Sequence, residues 1–235
     1  MKRLVKPSKN LTHPIFEEIR GIAEGSETPL NEVVALNARY EFVWFTASSY
    51  GCTSLLALPE ATINKHVLLG QNWDFKPPFL EKSLLLQIER KDGPTVLTHV
   101  EAGCVGRTGF NSKGIGLCVN ALVSSNDKFE PKVTFHVLCR GILDSESLGE
   151  AIGKTINSER SLSYNFLIAS SEGVGIDIEL LLGKHFNHLQ PENGFLFHTN
   201  HFLKPGNYND EFIKVIPDTL LRYQRVKKLV NHKKE

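Results

Sequence analysis

Cys52 follows Gly51 and opens the apolar run Thr53-Ser54-Leu55-Leu56-Ala57-Leu58. A second apolar run, His66-Val67-Leu68-Leu69, continues into Gly70-Gln71-Asn72-Trp73-Asp74-Phe75. The turn-forming stretch 60–65 separates them. If the two runs pair as a hairpin centred near Ile63, position 52 falls opposite position 74. Partners directly across an antiparallel ladder sit about 4.5–5.5 Å apart. The spacing therefore predicts a thiol beside a carboxylate. A lone cysteine is more often a small buried hydrophobe than a nucleophile. Here the preceding glycine permits the close approach and unusual dihedrals that an N-to-S acyl shift requires. Cleavage at Gly51–Cys52 would free Cys52 as an N-terminal nucleophile. Taken alone, Asp74 reads better as a turn-capping carboxylate.

Two amides are further candidates. Asn120 interrupts the apolar strand Cys118-Val119-Asn120-Ala121-Leu122. A buried amide needs partners, so an oxyanion donor and a structural hydrogen bond both fit. Asn200 lies in His198-Thr199-Asn200-His201, just after the apolar Phe195-Leu196-Phe197. His198 and His201 have a metal-like spacing, but with no third ligand in view the signal is weak, and no metal or cofactor is expected.

The elements that must carry these residues alternate in type. Apolar residues at helical spacing predict a helix over 14–24, preceded by a disordered lead over 1–13. Thr28 with Pro29 predicts the cap and start of a second helix running to about Phe45, whose Arg39 and Glu41 need partners if buried. Strands are predicted over 52–58, 66–74, 83–90, 95–102, 104–110 and 115–122. Helices follow over 133–143 and 145–157, the second capped by Asp144 or Ser145. Further strands are predicted over 164–170, 173–181 and 194–199, then an amphipathic helix from about Pro217 to Val230. That order implies an α+β layered fold with antiparallel sheets under helices.

Composition sets limits. The 235 residues carry 27 basic and 26 acidic side chains and are 41% hydrophobic. Such a balance supports a real core and argues against nucleic-acid or membrane partners held by bulk charge. Arg225, Lys227, Lys228, Lys233 and Lys234 near the end read as a solvated helix terminus. No signal peptide or membrane-span pattern is seen. The four cysteines are widely spaced and read as reduced thiols, so a cytoplasmic location is expected.

Together these residues resemble a known family. Glu17-Glu18-Ile19-Arg20-Gly21-Ile22-Ala23, Leu36-Asn37-Ala38-Arg39-Tyr40-Glu41-Phe42 and Gly51-Cys52-Thr53 come first. Then come Gly70 to Phe75, Glu101-Ala102-Gly103, Gly109-Phe110-Asn111-Ser112 and His198 to His201, and finally Pro217-Asp218 with Arg222-Tyr223-Gln224-Arg225. In this order the chain resembles the acyl-coenzyme A:6-aminopenicillanic acid acyltransferase (isopenicillin-N acyltransferase) family of N-terminal-nucleophile hydrolases. The resemblance implies a four-layer α-β-β-α fold in a single domain. It implies autoproteolysis between Gly51 and Cys52, with 1–51 as propeptide or small subunit and 52–235 bearing the nucleophile. The two fragments would then form a heterodimer. Cys52 would attack through its thiol and take protons through its new α-amine. Asp74 would orient that amine, Asn200 would donate to the oxyanion, and Asn120 would serve on the oxyanion side. The implied substrate is a small N-acyl amide or acyl thioester. Relative to the family, the chain is expected to be short at both ends and to lack the later serine–arginine region. The alternative reading is a non-catalytic remnant that serves as a binding or oligomerising subunit.

Overall fold

The computed structural model describes residues 9–43 and 51–231. Helices α1 (Lys9–Gly25), α2 (Leu30–Leu36) and α3 (Arg39–Val43) come first. Strands β1 (Cys52–Ala57), β2 (Leu68–Trp73), β3 (Ser83–Ile88), β4 (Val96–Glu101), β5 (Thr108–Asn111) and β6 (Ile115–Ala121) follow. Helices α4 (Phe135–Leu143) and α5 (Leu148–Asn157) lead to β7 (Tyr164–Ser170), β8 (Val174–Leu180), β9 (Phe186–Leu189) and β10 (Phe195–His198). The short α6 (Phe212–Val215) and the longer α7 (Asp218–Asn231) end the described chain.

Two antiparallel sheets form, a three-stranded one ordered β10-β1-β2 and a seven-stranded one ordered β3 to β9 in sequence. The period-2 rule explains how they stack. On β6 and β7, Cys118, Leu167 and Ala169 face the small sheet and meet Leu56, Leu58 and Leu196 there. Their neighbours Leu117, Val119, Phe166 and Ile168 point the other way, onto Leu138, Ile142 and Leu143 of α4 and Ala151 of α5. Both faces of these central strands are buried, so each reads as a nearly continuous apolar run. Helix α7 covers the small sheet along β10. The layers are therefore α-β-β-α, as the resemblance implied.

Several boundaries differ from the sequence reading. Helix α1 already begins at Lys9, while the rest of the expected disordered lead, residues 1–8, lies outside the described residues. Pro29 occupies the cap position of α2, and Thr28 donates to Ser26 O instead of capping. The expected long second helix breaks at Asn37. Its buried amide donates to Val33 O (3.0 Å) and Gly103 O (2.8 Å) and accepts from Val105 N (2.9 Å). Tertiary hydrogen bonds thus override a helical pattern. Its last expected residues, 44–45, fall outside the described residues. The α5 cap is Ser147, which accepts from Glu150 N, and Ser145 folds back onto Gly141 O. The strand expected over 104–110 begins only at Thr108, and β9 and α6 were not anticipated.

Arg39 and Glu41 have the partners that burial demands. Arg39 forms an ion pair with Glu101. Glu41 accepts from Phe135 N (2.7 Å) and Tyr164 Oη (3.0 Å), fixing the start of α4.

Candidate active site

Cys52 stands at the first position of β1 and is 6% exposed. The register differs from the expected one by a single residue. Cys52 lies across from Trp73, and Asp74 follows the end of β2. The intervening turn holds one residue fewer than a hairpin centred on Ile63 requires. Consequently it is the Asp74 backbone that reaches the Gly51–Cys52 bond: its N–H donates to Gly51 O at 2.8 Å. The Asp74 carboxylate is exposed and makes no hydrogen bond or ion pair among the described residues.

The other side of the Gly51–Cys52 peptide is held as firmly. Cys52 N–H donates to Asn200 Oδ1 at 2.7 Å. The Asn200 Nδ2 donates to Ala121 O (3.0 Å), and its backbone N–H to Thr219 Oγ1 (2.7 Å). Asn200 is fully buried and pinned from both sides.

Arg222 is a further residue at this bond that residue-by-residue reading missed. It lies on α7, and its Nη1 donates to Cys52 O (2.7 Å) and Thr53 Oγ1 (3.2 Å). Its Nη2 donates to Asn200 Oδ1 (3.1 Å), and its Nε to Asp218 (2.7 Å). A Cβ at position 51 would meet Arg222 Nη2 at 2.6 Å, which gives the glycine there a steric reason. No arginine was expected here, since the family's later arginine-bearing region was not recognised in the sequence. The available signal was the Asp218/Arg222 pair at i, i+4, which reads as ordinary surface charge until α7 is docked.

Asn120 also lies close by, in a buried polar chain beneath the nucleophile. It accepts from Ser54 Oγ (2.6 Å) and Asn165 Nδ2 (3.4 Å), and Asn165 donates to Asp177 (2.6 Å). Burial raises the Asp177 carboxyl to about 6. His198 joins this layer through Glu179 (3.2 Å), while His201 bonds Thr199 and Thr219. The two histidines are thus spent on separate hydrogen bonds and do not converge as a ligand pair. A different trio, Glu101, Cys104 and His136, does bring its ligand atoms within 4.8 Å of one another. The Arg39 guanidinium already occupies that neighbourhood, paired to Glu101 and 3.6 Å from Cys104 Sγ. A cation held there opposes a metal ion.

A cavity of about 280 Å³ opens at Cys52 and is lined by Tyr40, Trp73, Asp74, Arg107, Asn120 and Phe135, among others. Tyr40 comes from the chain before the Gly51–Cys52 bond and the remaining five from after it. Burial pushes the Cys52 thiol above its ordinary range, opposed by the Arg107 charge and by donors from Ala121, Asn200 and Gln71. A thiol of this kind is protonated at neutral pH and needs a base to become a nucleophile.

An α-β-β-α stack with a cysteine opening the first strand of the inner small sheet is the arrangement of an N-terminal-nucleophile hydrolase. Residues 62–235 match the acyl-coenzyme A:6-aminopenicillanic acid acyl-transferase family, and the chain belongs to that family. It is 30% identical over 217 residues to the acyl-coenzyme A:6-aminopenicillanic-acid-acyltransferase 40 kDa form of Emericella nidulans. That alignment covers 92% of this chain and 59% of the fungal protein. Protein dcd1A of Dictyostelium discoideum is 26% identical over 170 residues, covering 67% of this chain and 37% of dcd1A. The chain therefore spans well under two thirds of the length of either relative. Among solved structures, the Caenorhabditis elegans N-acylethanolamine-hydrolyzing acid amidase ortholog superposes with a TM-score of 0.54 at 16% identity. The match covers 63% of this chain and 70% of that one, and it is a likeness of fold. No helix among the described residues is long and apolar enough to cross a membrane.

Proposed function

We infer that the chain is an autoprocessing cysteine amidohydrolase or acyltransferase that cleaves its own Gly51–Cys52 bond and then acts on small N-acyl amides or acyl thioesters through Cys52. The observation that carries this reading is the grip on the scissile peptide. Its carbonyl oxygen accepts from Asp74 N–H at 2.8 Å and its N–H donates to Asn200 at 2.7 Å.

In the first step the Cys52 sulfur attacks the Gly51 carbonyl carbon and gives up its proton. The negative charge develops on Gly51 O, at the distance from Asp74 N–H where an oxyanion donor works best. The C–N bond then breaks, the Cys52 nitrogen takes the proton that the thiol gave up, and Gly51 becomes a thioester that water hydrolyses to a free carboxylate and the free thiol. The nitrogen is now an α-amine, whose ordinary pKa is about 8. Asn200 Oδ1 remains in place to accept from it. The adjacent Arg222 cation disfavours a second positive charge and so keeps more of the amine unprotonated, ready to accept a proton at neutral pH.

In turnover the amine takes the thiol proton and sulfur attacks the acyl carbon. The oxyanion falls where Gly51 O had been, and the leaving amine takes the proton. Water or an acceptor amine then resolves the thioester. Asp74 and Asn120 sit at the cavity, where the carboxylate of the former can orient the α-amine and the amide of the latter can support the acyl oxygen.

The fragments 1–51 and 52–235 stay together in this reading. Ile15, Ile19, Ala23 and Val33 pack on Val105, and the Asn37, Arg39 and Glu41 bonds all cross between the two parts.

The test is the intact mass of the purified protein under denaturing, reducing conditions, paired with native gel filtration. Two fragments meeting at 51/52 that co-elute natively, with cleavage and amide turnover both lost in Cys52→Ala, are expected. Turnover by the Cys52→Ala protein would overturn the assignment. An uncleaved, inactive wild type would favour a binding or oligomerising subunit.

A further inference from the structure

Arg107 is 2% exposed, yet its guanidinium makes no hydrogen bond and no ion pair among the described residues. The buried Nε has no acceptor at all. Among the described residues it stacks on the face of Trp73, with Cζ 3.7 Å from the ring centroid, and beyond ion-pair distance its charge helps hold the Glu101 carboxyl low. A buried guanidinium without a hydrogen-bond acceptor is costly, because desolvation of the charge is only partly compensated. A cation–π contact offsets about 0.5–2 kcal/mol of that cost. The structure nevertheless holds this side chain firmly. Arg107 N–H donates to Thr98 Oγ1 (3.2 Å), and a Cβ on the preceding Gly106 would strike the α4 backbone at Arg140 N (2.9 Å). The loop is therefore a fixed platform, and the guanidinium lines the Cys52 cavity.

We propose that Arg107 is a carboxylate anchor, and that the Cys52 cavity takes N-acyl compounds carrying a carboxylate a few bonds from the scissile amide. This rests on the cavity being the substrate site of the proposed function. The planar fork of a guanidinium matches a carboxylate through two parallel N–H···O bonds. Two buried guanidinium groups, Arg39 and Arg107, share the one carboxylate of Glu101, which is paired to Arg39, so a singly charged anion balances what remains. Asp74 and Lys76, both exposed at the rim, offset each other. A doubly charged phosphate would leave excess negative charge in a largely apolar cavity. The reach follows from the register. Trp73 lies directly across the ladder from Cys52, so the guanidinium stacked on it shares the wall that carries the thiol. The carboxylate has two chemical sources, the amine side, as in an N-acyl amino acid, or the acyl side, as in the monoamide of a dicarboxylic acid.

The experiment measures binding by titration calorimetry to the processed protein, with a sulfonamide in place of the scissile amide so that its result does not depend on turnover. One arm compares N-pentylsulfonylglycine with N-pentylsulfonylglycinamide. The other compares 4-(propylsulfamoyl)butanoic acid with its methyl ester. In at least one arm the acid is expected to bind about 10–100-fold more tightly than its neutral counterpart, the worth of a hydrogen-bonded charge pair. Arg107→Met should abolish that preference, and Arg107→Lys, which keeps the charge but not the fork, should retain only part of it. Arg107→Met should also melt no lower than the parent in the absence of ligand, since it removes a buried charge that no hydrogen bond satisfies. Equal binding of acid and neutral compound in both arms, no binding in either, or an acid preference that survives in Arg107→Met would overturn the proposal. Failure of wild-type turnover with the acid preference intact would instead count against the proposed chemistry alone.

Discussion

Replacing Gly51 with alanine tests whether Arg222 and Asn200 align the scissile bond. The added Cβ would lie 2.6 Å from Arg222 Nη2, 2.9 Å from its Cζ and 3.1 Å from Asn200 Oδ1. The far end of an arginine can usually move aside. Here Asp218 holds its Nε, and the head group donates to Cys52 O, Thr53 Oγ1 and Asn200 Oδ1. Any displacement that relieves the clash lengthens the bonds to Cys52 O and Asn200 Oδ1. A hydrogen bond to a charged group contributes about 1.5–3 kcal/mol, so losing the equivalent of one slows cleavage by roughly 10–150-fold. Appearance of the 1–51 and 52–235 fragments is followed by mass spectrometry during cell-free synthesis, for wild type, Gly51→Ala, Arg222→Ala and the double variant. If the penalty of the methyl group runs through the guanidinium, the double variant is no slower than Arg222→Ala alone, a coupling of at least about 1 kcal/mol. Wild-type cleavage in Gly51→Ala would refute the reasoning, as would penalties that simply add.

Two further perturbations follow from the same geometry. Asn200→Ala removes the acceptor for Cys52 N–H and the bond to Ala121 O, and should slow self-cleavage by roughly 10–100-fold, the cost of leaving a buried donor unsatisfied, while the fragments' fold, read by circular dichroism, is retained. Glu41, buried beside Phe135 N–H and Tyr164, has its carboxyl raised by burial from 4.5 to about 7. The folded state thus binds a proton that the unfolded state has released between those values. Stability from this group is present below about pH 4.5 and is lost as pH rises through about 7, up to about 3 kcal/mol. In Glu41→Gln that slope should vanish, so urea unfolding of the variant gains on wild type between pH 4.5 and 7. A constant difference across that range would contradict the assignment.

Much of the architecture was legible because it depends on local pattern. Runs such as Val96 to Val100 and Tyr164 to Ile168 have the length and β-branched or aromatic content of strands, and turns such as Asn111 to Gly114 separate them. The residues at the ends of β1, β6 and β10 were legible too, since a polar side chain that interrupts an apolar strand must find a partner. Asn200 does hold the N–H of the Gly51–Cys52 bond, and Asn120 lines the same cavity. Helix boundaries were less legible at Asn37, where the deciding bonds run to Gly103 and Val105, far along the chain.

By itself, then, the sequence determined the layered order of strands and helices, the glycine–cysteine junction and the amides that could surround it. Only the tertiary structure decided the hairpin register, because one residue more or less in a turn leaves the apolar pattern nearly unchanged but exchanges Asp74 for Trp73 across from Cys52. That shift directs the Asp74 N–H, not its carboxylate, at the scissile carbonyl. Only the tertiary structure decided the parts played by Arg222 and Arg107 as well. On the chain each is one basic residue among many. The packing of α7 against β10 brings the first to the scissile bond, and the stacking on Trp73 leaves the second buried without an acceptor. Charge acquires its meaning from what burial removes and from which partners remain, and neither can be read along a single strand of sequence.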